Sequence, residues 1–182
     1  AEEGWRVPAA TRLVQHREEL SAGALAVRCH ALRGHTRGSI CYEVSLPGGP
    51  GPACLFSGDS IFVGGCGALF ERSARVLHGD LGRLFREVPP DTLLFPGHEY
   101  TVMLLQMAVA RDRHSAQARE KLQWARARRA RKEPTVPTRL GDELGYNAWA
   151  QIAMDPQAGP EDFRLFCQLC GVQDDDTSDK RQ

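Results

Sequence analysis

A chain of 182 residues with 23 Lys/Arg and 23 Asp/Glu has no formal net charge. A whole-chain electrostatic attraction to nucleic acid or to an anionic membrane surface is therefore excluded as the basis of its function. Its 42% hydrophobic and 25% charged composition is that of one globular domain, or a small domain with an appendage, not of a disordered chain.

No apolar run approaches the roughly 20 residues that a bilayer crossing needs. The opening Ala1-Glu2-Glu3-Gly4-Trp5-Arg6 has no apolar h-region, so no targeting signal is visible. It also lacks an initiator Met, which implies a processed start or a piece of a longer product. The six cysteines read as thiols of a reduced compartment, cytoplasmic or mitochondrial. Cys41 and Cys54 lie in apolar runs and are expected to be buried. Cys167-Gln-Leu-Cys170 has no second pair nearby to complete a zinc site, and reads as two helix-face cysteines.

Residues 1–100 read as β-rich with one helix. Leu25, Val27 and Cys29 alternate with polar or small residues, which predicts a strand. Ser39–Ser45 is a second, with Ile40, Tyr42 and Val44 on one face. Residues 47–52, Pro-Gly-Gly-Pro-Gly-Pro, predict a surface loop. Ala53–Phe56 forms a short strand running into Ser57-Gly58-Asp59, and Gly64-Gly65-Cys66-Gly67 is a glycine-rich loop. Ser73 is placed to cap a helix whose apolar face is Leu77, Leu81, Leu84, Phe85 and Val88. Pro89-Pro90 stops it. Thr92–Phe95 is a further strand, ending in Pro96-Gly97-His98-Glu99-Tyr100.

From Thr101 the pattern turns helical. Helices are predicted over Val102–Arg111, over Ser115–Lys132 with Ser115 as cap, and from Gly159-Pro160 through Phe163, Phe166, Cys167 and Cys170, with Gly171 as terminator. Residues 174–182 form a polar tail. Arg111–Lys132 holds nine Lys/Arg against Asp112 and Glu120. Leu122, Trp124 and Ala125 supply an inward stripe and no aromatic residues alternate with the charges, so this is read as a solvated helix face, not a nucleic-acid surface.

Three polar clusters sit where strands should end: Gly34-His35-Thr36, Gly58-Asp59 and Gly97-His98-Glu99-Tyr100. Loops leaving strand ends face solvent on a rigid base, and a neighbouring glycine permits tight turns. Two imidazoles and a carboxylate make a donor set for a zinc-type ion. Singly, each also reads as an ordinary turn histidine or Asx-turn aspartate.

In order and spacing these stretches resemble the metallo-β-lactamase superfamily, and most closely glyoxalase II, the hydroxyacylglutathione hydrolases. The likeness runs through Gly34-His35-Thr36-Arg37-Gly38-Ser39, Phe56-Ser57-Gly58-Asp59-Ser60, Gly64-Gly65-Cys66-Gly67, Pro96-Gly97-His98-Glu99-Tyr100-Thr101, Glu120–Ala125, Pro134–Pro137 and Tyr146-Asn147, out to about Ile152. It implies an α/β (α+β) fold: residues 1–100 as the C-terminal half of an αββα sandwich, and residues 101–182 as a small helical domain on the substrate side.

It further implies two divalent metals, zinc or iron. His35 would serve the first, Asp59 would bridge, and His98 would serve the second, around a water that attacks the thioester of an acyl-glutathione conjugate. Tyr100 and Phe70 match substrate-contacting positions. The departures are specific. The family's T-H-x-H-x-D-H ligand motif does not occur in these 182 residues, leaving about two protein ligands per metal, below the usual three. Ala68 stands where the family has a basic residue, Phe70 where it has tyrosine, and Ala148-Trp149-Ala150-Gln151 where it has Pro-Phe followed by a basic residue. The resemblance therefore implies a thioester hydrolase at family level, with weak metal binding by this chain alone. The alternative is a non-catalytic, degenerate paralogue acting as a binding or scaffold protein. A sheet without its partner layer also predicts an exposed apolar face and self-association through it.

Overall fold

A computed structural model describes residues 7–111 and 115–173. The polar tail and the first six residues lie outside them. In chain order the elements are β1 (Glu19–Ala22), β2 (Leu25–Ala31), β3 (Ile40–Ser45), β4 (Cys54–Gly58), β5 (Ile61–Phe62), β6 (Gly65–Cys66), α1 (Ala74–Glu87), β7 (Leu93–Pro96), α2 (Thr101–Arg111), α3 (Ala116–Ala130), β8 (Thr138–Arg139), α4 (Ala148–Met154) and α5 (Pro160–Leu169). A 3-10 turn over Leu140–Gly145 links β8 to α4. No helix among the described residues is long and apolar enough to cross a membrane.

Six strands form one mixed sheet in the order β1-β2-β3-β4-β7-β8, and β5 and β6 make a separate small hairpin. β4 and β7 are parallel, with α1 on the connection between them, and the other pairs of the main sheet are antiparallel. The last strand comes from beyond α3, so the mainly helical second part of the chain returns to the sheet edge.

Strand alternation sorts the two faces. Cys41, Leu55 and Leu94 point to the covered side and are fully buried, packed with Leu77, Leu81 and Leu84 of α1. The same apolar cluster runs on through Leu104, Leu105, Leu122, Trp149 and Phe166 of the later helices. On the other side, Tyr42, Phe56 and Phe95 stand in register beside one another, with Val44, Cys54 and Leu93 in the next row. Phe56 stacks on Phe95 at 5.4 Å, yet Phe56 is 45% and Tyr42 38% exposed. One expectation is corrected here: Cys54 is only half-buried, because it lies on the uncovered face, while Leu55 beside it is fully buried on the covered one.

Helix ends follow their chemistry with one exception. The Ser115 hydroxyl accepts the Ala118 N–H, and Asn147 accepts the Ala150 N–H at the start of α4. Gly171 takes the left-handed φ of 73° after α5. Ser73 occupies the N-cap position of α1 but makes no side-chain cap bond. The basic face of α3 is paired in part: Arg128 and Arg131 meet Glu133, and Arg129 meets Glu99. Trp124 is half-buried, with Lys121 lying 4.2 Å over its ring.

Asp80 of α1, 2% exposed, joins the helix to the chain after β2. It accepts the Arg33 backbone N–H at 3.0 Å, the Arg33 guanidinium at 2.8 and 3.0 Å, and Arg83 at 2.7 Å. Burial works to raise its carboxyl, but the two arginines outweigh that and hold it below the usual aspartate value. Asp80→Asn is expected to cost about 2 kcal/mol at pH 7, measured by denaturant unfolding. A lowered folded pKa means this stabilisation is present above the unfolded aspartate value and is lost as pH falls through the folded one. The difference between wild type and variant should therefore shrink in acid.

Candidate metal centre

Strand polarity explains why residues far apart in sequence can meet. β2 is antiparallel to β3, and β3 to β4, so β2 runs with β4, and β4 runs with β7. The C-terminal ends of β2, β4 and β7 therefore lie at one edge of the sheet, where sites in such sheets form. His35 follows β2, Asp59 follows β4, and His98 follows β7.

The three side chains converge there. Asp59 Oδ2 is 3.6 Å from His35 Nε2 and 3.3 Å from His98 Nε2. His35 Nδ1 lies 3.0 Å from the Ala68 carbonyl oxygen. A carbonyl can only accept, so Nδ1 carries a proton, and in the neutral ring Nε2 then turns its lone pair toward Asp59. This is the orientation a metal-ligating histidine needs, with the far nitrogen anchored by an acceptor.

Glycines bring the backbone close enough. Gly58, with φ of 52°, turns the chain out of β4 into Asp59. The Gly97 N–H donates to the Gly58 carbonyl at 2.8 Å, locking the β7 exit onto the β4 exit. A Cβ on Gly97 would lie 2.5 Å from Asp59 Oδ1, and one on Gly67 would overlap the Asp59 carbonyl. Gly97→Ala should displace the carboxylate and weaken metal binding at least tenfold, while costing about 1–3 kcal/mol of stability. Metal titration beside thermal unfolding checks both.

Aromatic rings flank the cluster. Phe70, 60% exposed, packs on His35 at 4.9 Å. Tyr100 stacks on His98 at 5.1 Å and meets Phe62 edge-on at 5.3 Å. Tyr100 is 42% exposed, so both rings sit at an open margin and can contact a ligand approaching Asp59.

Two supports have partners that the sequence does not show. Glu99 Oε1 accepts from the Thr135 N–H and hydroxyl, each at 2.7 Å. Burial pushes its carboxyl up, but these bonds and Arg129 and Arg128 hold it down. This ties the residue after His98 to the Pro134–Pro137 stretch. Glu143 is fully buried. It accepts from the Gly64 N–H at 2.8 Å, Asn147 at 2.9 Å and Tyr146 at 2.8 Å. Asn147 also donates to the Gly65 carbonyl at 3.2 Å. The glycine-rich hairpin that presses on Asp59 is thus held by residues some eighty positions later. A lone glutamate or asparagine shows no periodicity, and only the contact reveals its role.

Comparison with known proteins follows the same segments. The family profile described as hydroxyacylglutathione hydrolase C-terminus matches residues 99–174. A hydroxyacylglutathione hydrolase-like protein of Gallus gallus is 38% identical over 147 residues, covering 81% of this chain and 52% of that protein. Its counterpart from Mus musculus is 37% identical over 150 residues, covering 82% and 53%. The chain spans about half the length of these relatives. Among solved structures, a metallo-beta-lactamase from Staphylococcus aureus subsp. aureus COL aligns with a TM-score of 0.51 at 21% identity, covering 88% of this chain and 43% of that one. The BLEG-1 B3 metallo-beta-lactamase aligns with 0.50 at 19%, covering 78% and 49%. These two likenesses concern the fold.

Proposed function

Since the chain belongs to the glyoxalase II-like branch of the metallo-β-lactamase superfamily, we propose that it supplies part of a metal-dependent thioester hydrolase site acting on acyl-glutathione conjugates. One observation carries the reading: two imidazole Nε2 atoms from separate loops converge on the same Asp59 oxygen. The donor set, with the His35 lone pair turned inward by Ala68, fits divalent metal. In this reading His35, Asp59 and His98 would hold divalent metal, zinc or iron. Such ions, when bound, lower the pKa of water and polarise a carbonyl. Phe70 and Tyr100 line the approach, and the helical residues from 101 on form the substrate side. His35 is steered by Ala68, and Asp59 by Gly67 and Gly97.

Further ligands are needed for tight binding, since a catalytic zinc usually takes three from protein and these 182 residues contain no T-H-x-H-x-D-H. The chain alone should therefore hold metal weakly and turn over S-lactoylglutathione little or not at all. Zinc content after dialysis and thioester hydrolysis, each compared with Asp59→Asn and His98→Ala, test this. Metal binding, measured in a His16→Ala background so that no other histidine cluster contributes, that neither substitution alters would remove the reading. Two tightly held ions per chain with turnover abolished by His98→Ala would show that the chain completes the site itself.

A second reading, a binding or scaffold protein without catalysis, is favoured by Ala68 and by Ala148-Trp149-Ala150-Gln151, which place no cation where the resemblance calls for a grip on a glutathione carboxylate. Glutathione titration separates the two. The hydrolase reading needs saturable binding that falls with Tyr100→Ala, and the scaffold reading needs none. The uncovered sheet face would in either case serve self-association of the chain.

A further inference from the structure

Outside the His35–Asp59–His98 cluster, three other donor atoms converge. His16 lies in the segment ahead of β1, His30 on the covered face of β2, and Glu87 at the C-terminal end of α1. Glu87 Oε2 is 3.8 Å from His16 Nε2 and 3.6 Å from His30 Nδ1, and a donor atom from each of the three lies within 4.8 Å of the others. All three atoms are buried and none has a hydrogen-bond partner. His30 itself is 1% exposed. Buried polar atoms normally find partners. Three that face one another without one point to a ligand shared between them.

The remaining atoms of these side chains set their orientation. His30 Nε2 lies 2.8 Å from Glu43 Oε2; the Nε2–H donates to that carboxylate, and in the neutral ring Nδ1 then turns its lone pair inward. Glu87 gives its other oxygen to Arg17, which leaves Oε2 free. His16 Nδ1 receives only a long contact, 3.4 Å, from the Ala31 N–H. A cation on Nε2 requires the ring proton on Nδ1 and gives that contact up. Two cations stand nearby, and both are neutralised: Arg17 on Glu87, and Arg83 on Asp80 with a further bond to the Ala31 carbonyl.

We propose that His16, His30 and Glu87 form a structural site for a zinc-type divalent cation, tying the segment ahead of β1 to strand β2 and to the end of α1. Two imidazole nitrogens and one carboxylate oxygen suit zinc or cobalt(II) better than magnesium or calcium, which prefer all-oxygen sets. Bonds of about 2.0–2.2 Å draw the three atoms together by about an ångström, and water takes the fourth position. Glu43 acts as the carboxylate that orients a ligating histidine from behind.

The test uses the 182-residue chain carrying Asp59→Asn and His98→Ala, so that the other cluster does not compete. Titration with Zn²⁺ alone should fill one site per chain and raise the melting temperature, and Co²⁺ should give the visible spectrum of a histidine-ligated ion. Adding His16→Ala, which trims a part-exposed side chain, or Glu87→Gln should weaken zinc binding at least tenfold with the circular dichroism unchanged. A folded chain that takes up no equivalent of zinc overturns the proposal, as does an affinity that neither substitution changes. A thiolate-to-cobalt charge-transfer band would move the ion to a cysteine and overturn it equally.

Discussion

Replacing Glu143 with alanine is expected to destabilise the chain by about 3–5 kcal/mol, lowering the melting temperature by about 10 °C. The carboxylate takes hydrogen bonds from the Gly64 N–H, the Asn147 amide and the Tyr146 hydroxyl, and all three donors lose their partner at once in a buried site. Glu143→Gln should cost much less. Its amide oxygen can replace Oε2 toward Gly64 and Asn147, while its NH₂ faces the Tyr146 and Thr138 hydroxyls, which can accept.

The same pair of variants reads out the titration. Burial pushes the Glu143 carboxyl from 4.5 up to about 7, against the pull of its hydrogen bonds and of the Lys121 charge. Between those two values the folded chain binds a proton that the unfolded chain does not. Stability therefore falls as pH rises through that window, by at most about 3 kcal/mol for a shift of this size. The contribution is complete below the unfolded value and gone above the folded one. Wild type minus Glu143→Gln isolates it from every other group. Melting curves of the two proteins that run parallel from pH 4.5 to 7.5 would show that the carboxyl is already ionised throughout.

The second large effect is on association. The uncovered face carries Val27, Ile40, Tyr42, Val44, Cys54, Phe56, Leu93 and Phe95, with the charge of Arg139 beside Leu93 at its β8 margin. Burying a large apolar side chain contributes about 1.5–3 kcal/mol. A few such burials against a second copy reach the roughly 8 kcal/mol of a micromolar dimer. The 182-residue chain should therefore sediment as a dimer or larger species at micromolar concentration and bind an apolar dye. Phe56→Lys, at the centre of the row and already half in water, should return it to monomer without unfolding it. A wild-type monomer that binds no dye would mean that another segment of the chain covers the face.

The contrast between these two predictions marks how far sequence reaches. Period-two alternation located β2 and β3, short apolar runs located β4 and β7, and the 3.6-residue spacing of Leu77, Leu81 and Leu84 located α1, because each is a local pattern imposed by burial. β1, β8 and α4 left weaker traces. β1 is largely exposed and β8 is two residues long, so neither needs a repeating apolar signal, and α4 is a helix of only seven residues. Alternation separates Leu55 from Phe56, but it does not say which side α1 will cover. That is decided by packing, which buries Leu55 and leaves Cys54 half in solvent.

For the centre at the strand ends, sequence determined the donors and the glycines beside them: His35, Asp59 and His98 are legible because short polar residues after apolar runs are local features. Their meeting on one oxygen was decided by strand polarity, which sets the ends of β2, β4 and β7 at the same edge. The tautomer of His35 was decided by where the Ala68 carbonyl falls. Glu143 and the His16–His30–Glu87 group left no local pattern, and Glu99, legible beside His98, gave no sign of its partner Thr135. Each is a single polar residue whose partners lie on other elements, and only the folded backbone brings a buried charge to the groups that satisfy it.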